Sequence, residues 1–187
     1  MRKPTKAGFA LVIAFSAFAA AQTSEQSSKL RPAPEMQKLA KMLVGTWRVD
    51  QEWAPGGSKP KGGKGTAHSV IRLGPGGFSV IEDFVGSDVD LHSLIWWDKA
   101  AQCFKTAGCD DSSDQGCQME NGRGRWEGNQ VVWQLTVPKD GKDVPAKIVW
   151  AEKDSRSFAA TMYVADASGN LKTGLDIPAR PREIVQN

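Results

Sequence analysis

The chain has 187 residues, of which 40% are hydrophobic, with 24 Lys and Arg against 21 Asp and Glu. The basic excess comes from Arg2, Lys3 and Lys6 at the N-terminus, so the remainder carries equal numbers of basic and acidic residues. Proteins that bind nucleic acid normally show a strong basic excess because they neutralise phosphates, and we therefore expect no nucleic-acid partner.

The N-terminal leader has the three parts of a secretory signal. Its basic start precedes an apolar run at residues 7–20, and Ala19-Ala20-Ala21 fits an Ala-x-Ala cleavage site. The apolar run is shorter than the ~20 residues that span a bilayer, so cleavage is favoured over an uncleaved membrane anchor. We predict a signal peptide at 1–21, a periplasmic or secreted protein, and no membrane contact after cleavage.

The length that remains after cleavage suits one domain with a hydrophobic core and is too short for two. Residues 22–34 lack aromatic side chains and are predicted to form a flexible tether. We predict one domain at 35–178 and a C-terminal tail at 179–187. The sequence leaves the oligomeric state open.

The domain is predicted to begin with a helix and a strand. Apolar residues recur at helical spacing within residues 35–44, at Met36, Leu39, Met42 and Leu43. The period then changes to two at residues 46–54, where Trp47 and Trp53 share one side of a half-buried strand.

Further strands are predicted at short intervals between turn signals. They lie at residues 66–73, 78–85, 91–98, 102–106, 118–127, 130–137, 146–152, 157–165 and 171–177. The glycine-rich segment at 74–77 and the Gly128-Asn129 pair mark tight turns, and residues 55–65 form an exposed loop. About nine or ten regular short strands separated by turns indicate an all-β fold, an antiparallel barrel or sandwich. The sequence shows no repeat and no strand–helix alternation, which disfavours a Rossmann-type enzyme fold.

Three cysteines lie close together at Cys103, Cys109 and Cys117. In an exported chain we expect one disulfide and one free thiol. Three pairings are possible. The pair of Cys109 with Cys117 is favoured because residues 110–116 are turn-forming, and Cys103 would then be free and buried beside Phe104.

Two short motifs carry a resemblance to a known family. Leu43-Val44-Gly45-Thr46-Trp47 resembles the Gly-x-Trp start of lipocalin-like (calycin) barrels, and Ile95-Trp96-Trp97-Asp98-Lys99 resembles the aromatic-Asp turn of an uncharacterised bacterial family with such a barrel. The resemblance spans residues 36–169 and implies a lipocalin-like barrel that carries small molecules. Gly45 and Trp47 would then have structural roles, the indole closing one end of the barrel.

One branch of this resemblance, the nitrobindins, holds haem through a histidine near the C-terminal end. Here the histidines are His68 and His92, both in the first half of the chain. The resemblance therefore implies no haem ligand, and we expect no cofactor.

The seven tryptophans are the most unusual feature of the composition. Their indoles suit both core filling and the grip of an amphipathic ligand, and both roles remain open. As ligand-binding candidates we take Trp96 and Trp97, which point to opposite faces of one strand, together with Trp133 and His92.

Motifs for metal binding or catalysis are weak. The histidines and cysteines lack zinc-site spacing, and the acidic stretch Asp110-Asp111-Ser112-Ser113-Asp114 departs from an EF-hand loop, so no metal is expected. No Gly-x-Ser-x-Gly elbow occurs, and no catalytic residue is assigned.

Three interpretations of function remain. The first is an exported module that binds an apolar or amphipathic small molecule, with no reaction implied. The second is a periplasmic enzyme in which His92 and Glu82 or Asp83 act as acid and base. The third is a structural or partner-binding domain with a filled interior. A cavity of ~300 Å³ or more with a few convergent polar groups favours the first.

Overall fold

One α-helix followed by β-strands makes up the part of the chain that the computed structural model describes. That part comprises residues 30–55, 59–111, 116–119, 121–139, 141–154 and 157–181. The predicted signal peptide, most of the predicted tether and the last six residues of the predicted tail lie outside it. The elements are α1 (Pro34–Leu43), β1 (Gly45–Trp53), β2 (Gly63–Leu73), β3 (Ser79–Gly86), β4 (Asp90–Asp98), β5 (Cys103–Asp110), β6 (Cys117–Met119), β7 (Arg123–Glu127), β8 (Gln130–Lys139), β9 (Lys142–Asp154), β10 (Ser157–Ala165) and β11 (Leu171–Pro181).

Helix α1 lies within one residue of the predicted helix at each end. Its four periodic apolar residues are all buried, whereas Glu35 in the first turn and Lys41 in the last turn match the helix dipole. The Nε1 atom of Trp47 donates a 2.7 Å hydrogen bond to the carbonyl oxygen of Leu43. This bond satisfies a carbonyl that the helix end leaves without a partner and fixes α1 to the start of β1.

The strands form a closed antiparallel barrel, which confirms the predicted all-β class. Ten strands follow one another around the ring in the order β1, β2, β3, β4, β5, β7, β8, β9, β10 and β11. Two pairings close the ring, β1 with β11 and β4 with β5. Strand β11 continues to Pro181, so the barrel extends into the predicted tail at 179–187.

The wall is interrupted where one strand was predicted at 118–127. Two separate strands occupy this stretch: β6 pairs with the second half of β5, whereas β7 pairs with β5 at Phe104 opposite Gly124. Asn121 lies between them, and its Nδ2 atom donates a 3.0 Å hydrogen bond to the Oγ1 atom of Thr136 in β8. A side chain between β6 and β7 is thus fixed to β8 where the ladder is broken.

Helix α1 and a group of aromatic rings cover one end of the barrel. The helix packs against β2, β3 and β4, and its buried side chains join a core cluster with Trp47. Trp47 is 7% exposed, and its ring meets that of Phe158 edge-on with a centroid distance of 4.8 Å. A Cβ atom at Gly45 would lie 3.4 Å from the indole of Trp47, which is ordinary van der Waals contact.

The predicted cysteine pairing is confirmed. A disulfide joins Cys109 to Cys117, which face each other across β5 and β6, and Cys103 is free and buried. Among the described residues, no helix has the length and hydropathy needed to cross a membrane.

Candidate functional site

The barrel encloses a cavity of about 300 Å³ between the covered end and the opposite end. Its walls come from inward-facing residues of most strands, since side chains alternate between the two faces of a sheet. Apolar side chains make up most of the lining, which includes the aromatic residues Phe84, Trp133, Trp150 and Phe158. The volume lies at the lower end of the range found for small-molecule sites.

Polar side chains line one side of this cavity. Five neighbouring strands of the ring, β1 to β5, each place one polar residue on the inner face. These residues are Gln51, Ser69, Glu82, Ser93 and Thr106. The opposite side, formed by β8 to β11, is apolar apart from the indole nitrogens. The cavity is therefore amphipathic, with a polar side formed by consecutive strands.

Glu82 is the most perturbed group of the polar side. The hydroxyl of Ser69 donates a 2.6 Å hydrogen bond to its Oε1 atom. Burial raises the pKa of the Glu82 carboxyl above its usual range, an effect that hydrogen bonds from Ser69 and Ser93 partly offset and that the neighbouring charge of Asp83 reinforces. A ligand group that donates a hydrogen bond to this carboxyl would stabilise it.

Two buried polar atoms at the cavity have no hydrogen-bond partner within the described residues. They are Oε1 of Gln51 and Nε1 of Trp133, in side chains that are 6% and 3% exposed. A buried polar group without a partner costs about 1–3 kcal/mol. The cavity thus presents one unused acceptor and one unused donor, which a ligand or water in the cavity would satisfy.

Trp133 and Trp97 both face inward but differ in position. Trp133 lines the cavity, with its ring centroid 5.3 Å from that of Trp150. A Cβ atom at Gly124 would lie only 2.9 Å from the indole of Trp133, so this ring needs a glycine beneath it. Trp97 packs edge-on against Phe104 at 5.0 Å and contributes to the core rather than to the lining.

The other two candidates, His92 and Trp96, do not line the cavity. Leu91, Ser93 and Ile95 of β4 line the cavity, and His92 and Trp96 alternate with them and face outward. Their role in ligand binding stays a prediction. His68 is also exposed, on β2.

The acid–base pair considered for an enzyme forms on the outer surface. Nδ1 of His92 lies 2.5 Å from Asp83, whose other oxygen contacts Arg72. The hydrogen bond from His92, followed by the Arg72 interactions, lowers the pKa of the Asp83 carboxyl. About half of each of the three side chains is exposed. The pair therefore belongs to a solvated ion-pair network, and Glu82 points away from it into the cavity.

The donor set does not fit haem or a structural metal. No histidine occurs among the cavity-lining residues, since the two in the chain lie on the outer face. Among the described residues, no group of three or more His, Cys, Asp or Glu side chains could hold a metal ion. Asp114, part of the acidic stretch weighed for calcium, lies outside the described residues.

Four polar lining residues, Gln51, Ser69, Ser93 and Thr106, were not identified from the sequence as site residues. Strand alternation contained the signal, because Ser69 shares its face with Ala67 and Ile71, and Ser93 shares its face with Ile95. Small polar residues within an apolar alternation are easily attributed to core hydrogen bonding.

No protein-family model matches the chain, and no curated protein matches it significantly. Among solved structures it is similar to the crystal structure of Rv2717c from M. tuberculosis, with a TM-score of 0.55 and 12% sequence identity. The similarity covers 81% of this chain and 99% of that one. At this identity the similarity supports the barrel fold alone.

Proposed function

We propose that this protein is an exported, lipocalin-like binding protein that holds a small amphipathic molecule inside its barrel. The observation that carries the proposal is the cavity of about 300 Å³, in which an apolar side faces a polar side. A barrel that served only as a structural domain would be expected to fill its interior with side chains. No reaction is part of the proposal.

The two unpartnered atoms support binding over an empty interior. Oε1 of Gln51 and Nε1 of Trp133 lie at the same cavity. The Gln51 oxygen can accept a hydrogen bond, and the Trp133 nitrogen can donate one. A ligand with an apolar body and a small polar group would cover the aromatic side while satisfying these atoms. The aromatic side offers large rigid surfaces whose burial favours such a body.

We propose export because residues 1–21 have the pattern of a secretory signal. The disulfide between Cys109 and Cys117 fits an oxidising compartment. The resemblance of Gly45-Thr46-Trp47 to the start of lipocalin-like barrels is consistent with the position of Trp47 at the covered end.

Mass spectrometry of small molecules that co-purify with the protein exported from its native host tests the proposal directly. A matched variant is Ala160→Phe, which places a ring in the cavity, with Ala100→Phe on the exposed surface as its control. We expect a co-purified molecule with the parent and the control, and its loss with Ala160→Phe at an unchanged fold by circular dichroism.

Calorimetry with 2-phenylethanol gives a second test that does not need the natural ligand. For a ligand of this size we expect saturable binding with a Kd below about 1 mM, weakened by Ala160→Phe. Equal binding to the parent and to Ala160→Phe would contradict a ligand site inside the barrel.

A further inference from the structure

The cavity lining contains one ionisable side chain among the described residues, that of Glu82. The basic residues nearest to it in the sheet, Arg72 and His92, lie outside the barrel, where they pair with Asp83. Inside, the Glu82 carboxyl accepts hydrogen bonds from the hydroxyls of Ser69 and Ser93. Buried carboxylates in proteins are normally paired with a cation, and the described residues that line this cavity supply none.

The remaining polar groups around Glu82 are also rich in acceptors. Oε1 of Gln51 is buried without a partner and can only accept. The hydroxyl of Thr106 faces the same cavity and can accept as well as donate. The polar side therefore complements a group that carries several donors.

The apolar side contains three aromatic side chains, Trp133, Trp150 and Phe158, and the first two lie with their ring centroids 5.3 Å apart. Phe84 adds a fourth ring to the lining from β3, the strand of Glu82. Aromatic faces attract cations, tryptophan more strongly than phenylalanine, and the attraction grows when the cation is desolvated. Both sides of the cavity therefore favour a cationic group on the ligand, while Nε1 of Trp133 remains a donor for an acceptor elsewhere on it.

We propose that the ligand of this cavity carries a protonated amine, which pairs with Glu82 while its apolar body lies against the tryptophans. This inference rests on the proposed function and adds the chemical class of the ligand. An anionic ligand would place two carboxylates side by side in an apolar site, which is costly. A neutral alcohol could take the hydrogen bonds but would leave Glu82 without a counter-ion.

Binding of an amine also predicts proton release. The groups that face Glu82 are the hydroxyls of Ser69 from β2 and Ser93 from β4, with Asp83 beside it on β3. In the free protein, burial raises the pKa of the Glu82 carboxyl above its ordinary value of 4.5. A cation in contact lowers that pKa, so the complex binds fewer protons than the free protein.

Three probes that differ only in the head group test the proposal by calorimetry: 2-phenylethylamine, 2-phenylethanol and phenylacetate. We expect the parent to bind the amine about ten- to a hundred-fold more tightly than the alcohol, and phenylacetate more weakly than either. The variant Glu82→Gln should lose this preference while retaining 2-phenylethanol. Its control, Glu52→Gln on the exposed outer face of β1, should behave as the parent.

Proton release is measured with the unmodified protein at about pH 5, in two buffers of different ionisation enthalpy. We expect release with the amine and none with the alcohol. An alcohol that binds as tightly as the amine, a preference that survives Glu82→Gln, or amine binding without proton release would overturn the inference. If the alcohol binds without any preference for the amine, only this inference fails. If no probe binds, the proposed function fails too.

Discussion

Replacement of Trp47 by alanine tests whether the covered end holds the barrel together. The indole is 7% exposed, packs edge-on against Phe158 and donates to the carbonyl oxygen of Leu43. Loss of a buried aromatic side chain typically costs about 3–5 kcal/mol. A domain of this size has a free energy of unfolding of only about 5–15 kcal/mol, so the variant should be marginal.

Two further variants separate the contribution of packing from that of the hydrogen bond and compare a buried indole with one on the outer face. Trp47→Phe keeps most of the apolar ring but removes the donor to Leu43, so its cost should be well below that of Trp47→Ala. Trp96→Ala removes an indole from the outer face of the barrel, where substitutions usually cost about 0.5 kcal/mol or somewhat more. The order of destabilisation should therefore be Trp47→Ala, then Trp47→Phe, then Trp96→Ala.

Urea unfolding followed by far-ultraviolet circular dichroism measures these differences without relying on tryptophan fluorescence. With a slope of about 2 kcal/mol/M, Trp47→Ala should lower the midpoint by about 1.5–2.5 M. A fall of less than about 0.5 M, or an equal fall for Trp96→Ala, would refute the role of Trp47 at the covered end.

Three other predictions concern the charge, the crosslink and the start of the mature chain. Folding raises the pKa of Glu82, so the free energy of unfolding of the protein should fall as pH rises from about 4.5. The Tm of Glu82→Gln should therefore increase relative to that of the parent as pH rises to neutrality. A difference in Tm that stays constant with pH would contradict this. Replacement of both Cys109 and Cys117 by serine should cost roughly 2.5 kcal/mol in urea unfolding, and an unchanged midpoint would show that the loop needs no crosslink. N-terminal sequencing of the exported protein should begin at Gln22, and a chain starting at Met1 would remove the argument for export.

Much of the fold could be predicted because its signals are local. Alternation in β1 and the glycine turn before β3 depend on neighbouring residues, and every predicted strand overlaps an observed one. The closure of β1 against β11 joins residues far apart in the chain and has no local signal. The break between β6 and β7 was missed because Asn121 finds its partner, Thr136, only in the folded barrel.

The site was harder to predict than the fold, because alternation gives two faces without saying which one is inside. It correctly separated Trp96 from Trp97, but only the closed ring shows that Trp97 faces the core and Trp96 the outside. The position along the strand matters as well, since Trp97 lies beside Phe104 while Ser93 reaches the cavity. Glu82 carried a usable signal, a carboxylate on the same face as Val80 and Phe84.

The narrow junction between β5 and β7 has a consequence for how the barrel opens. Within the described residues these strands share a single register pair, Phe104 with Gly124, whereas β8 and β9 pair along ten positions. Local unfolding starts where few backbone bonds must break. We expect amide hydrogen exchange to be faster in β7 than in β9. Trp133 lies against Gly124 and should be the first cavity-lining side chain to become exposed when this junction opens. A ligand would then enter through local opening of the wall between β5 and β7 rather than through an end of the barrel.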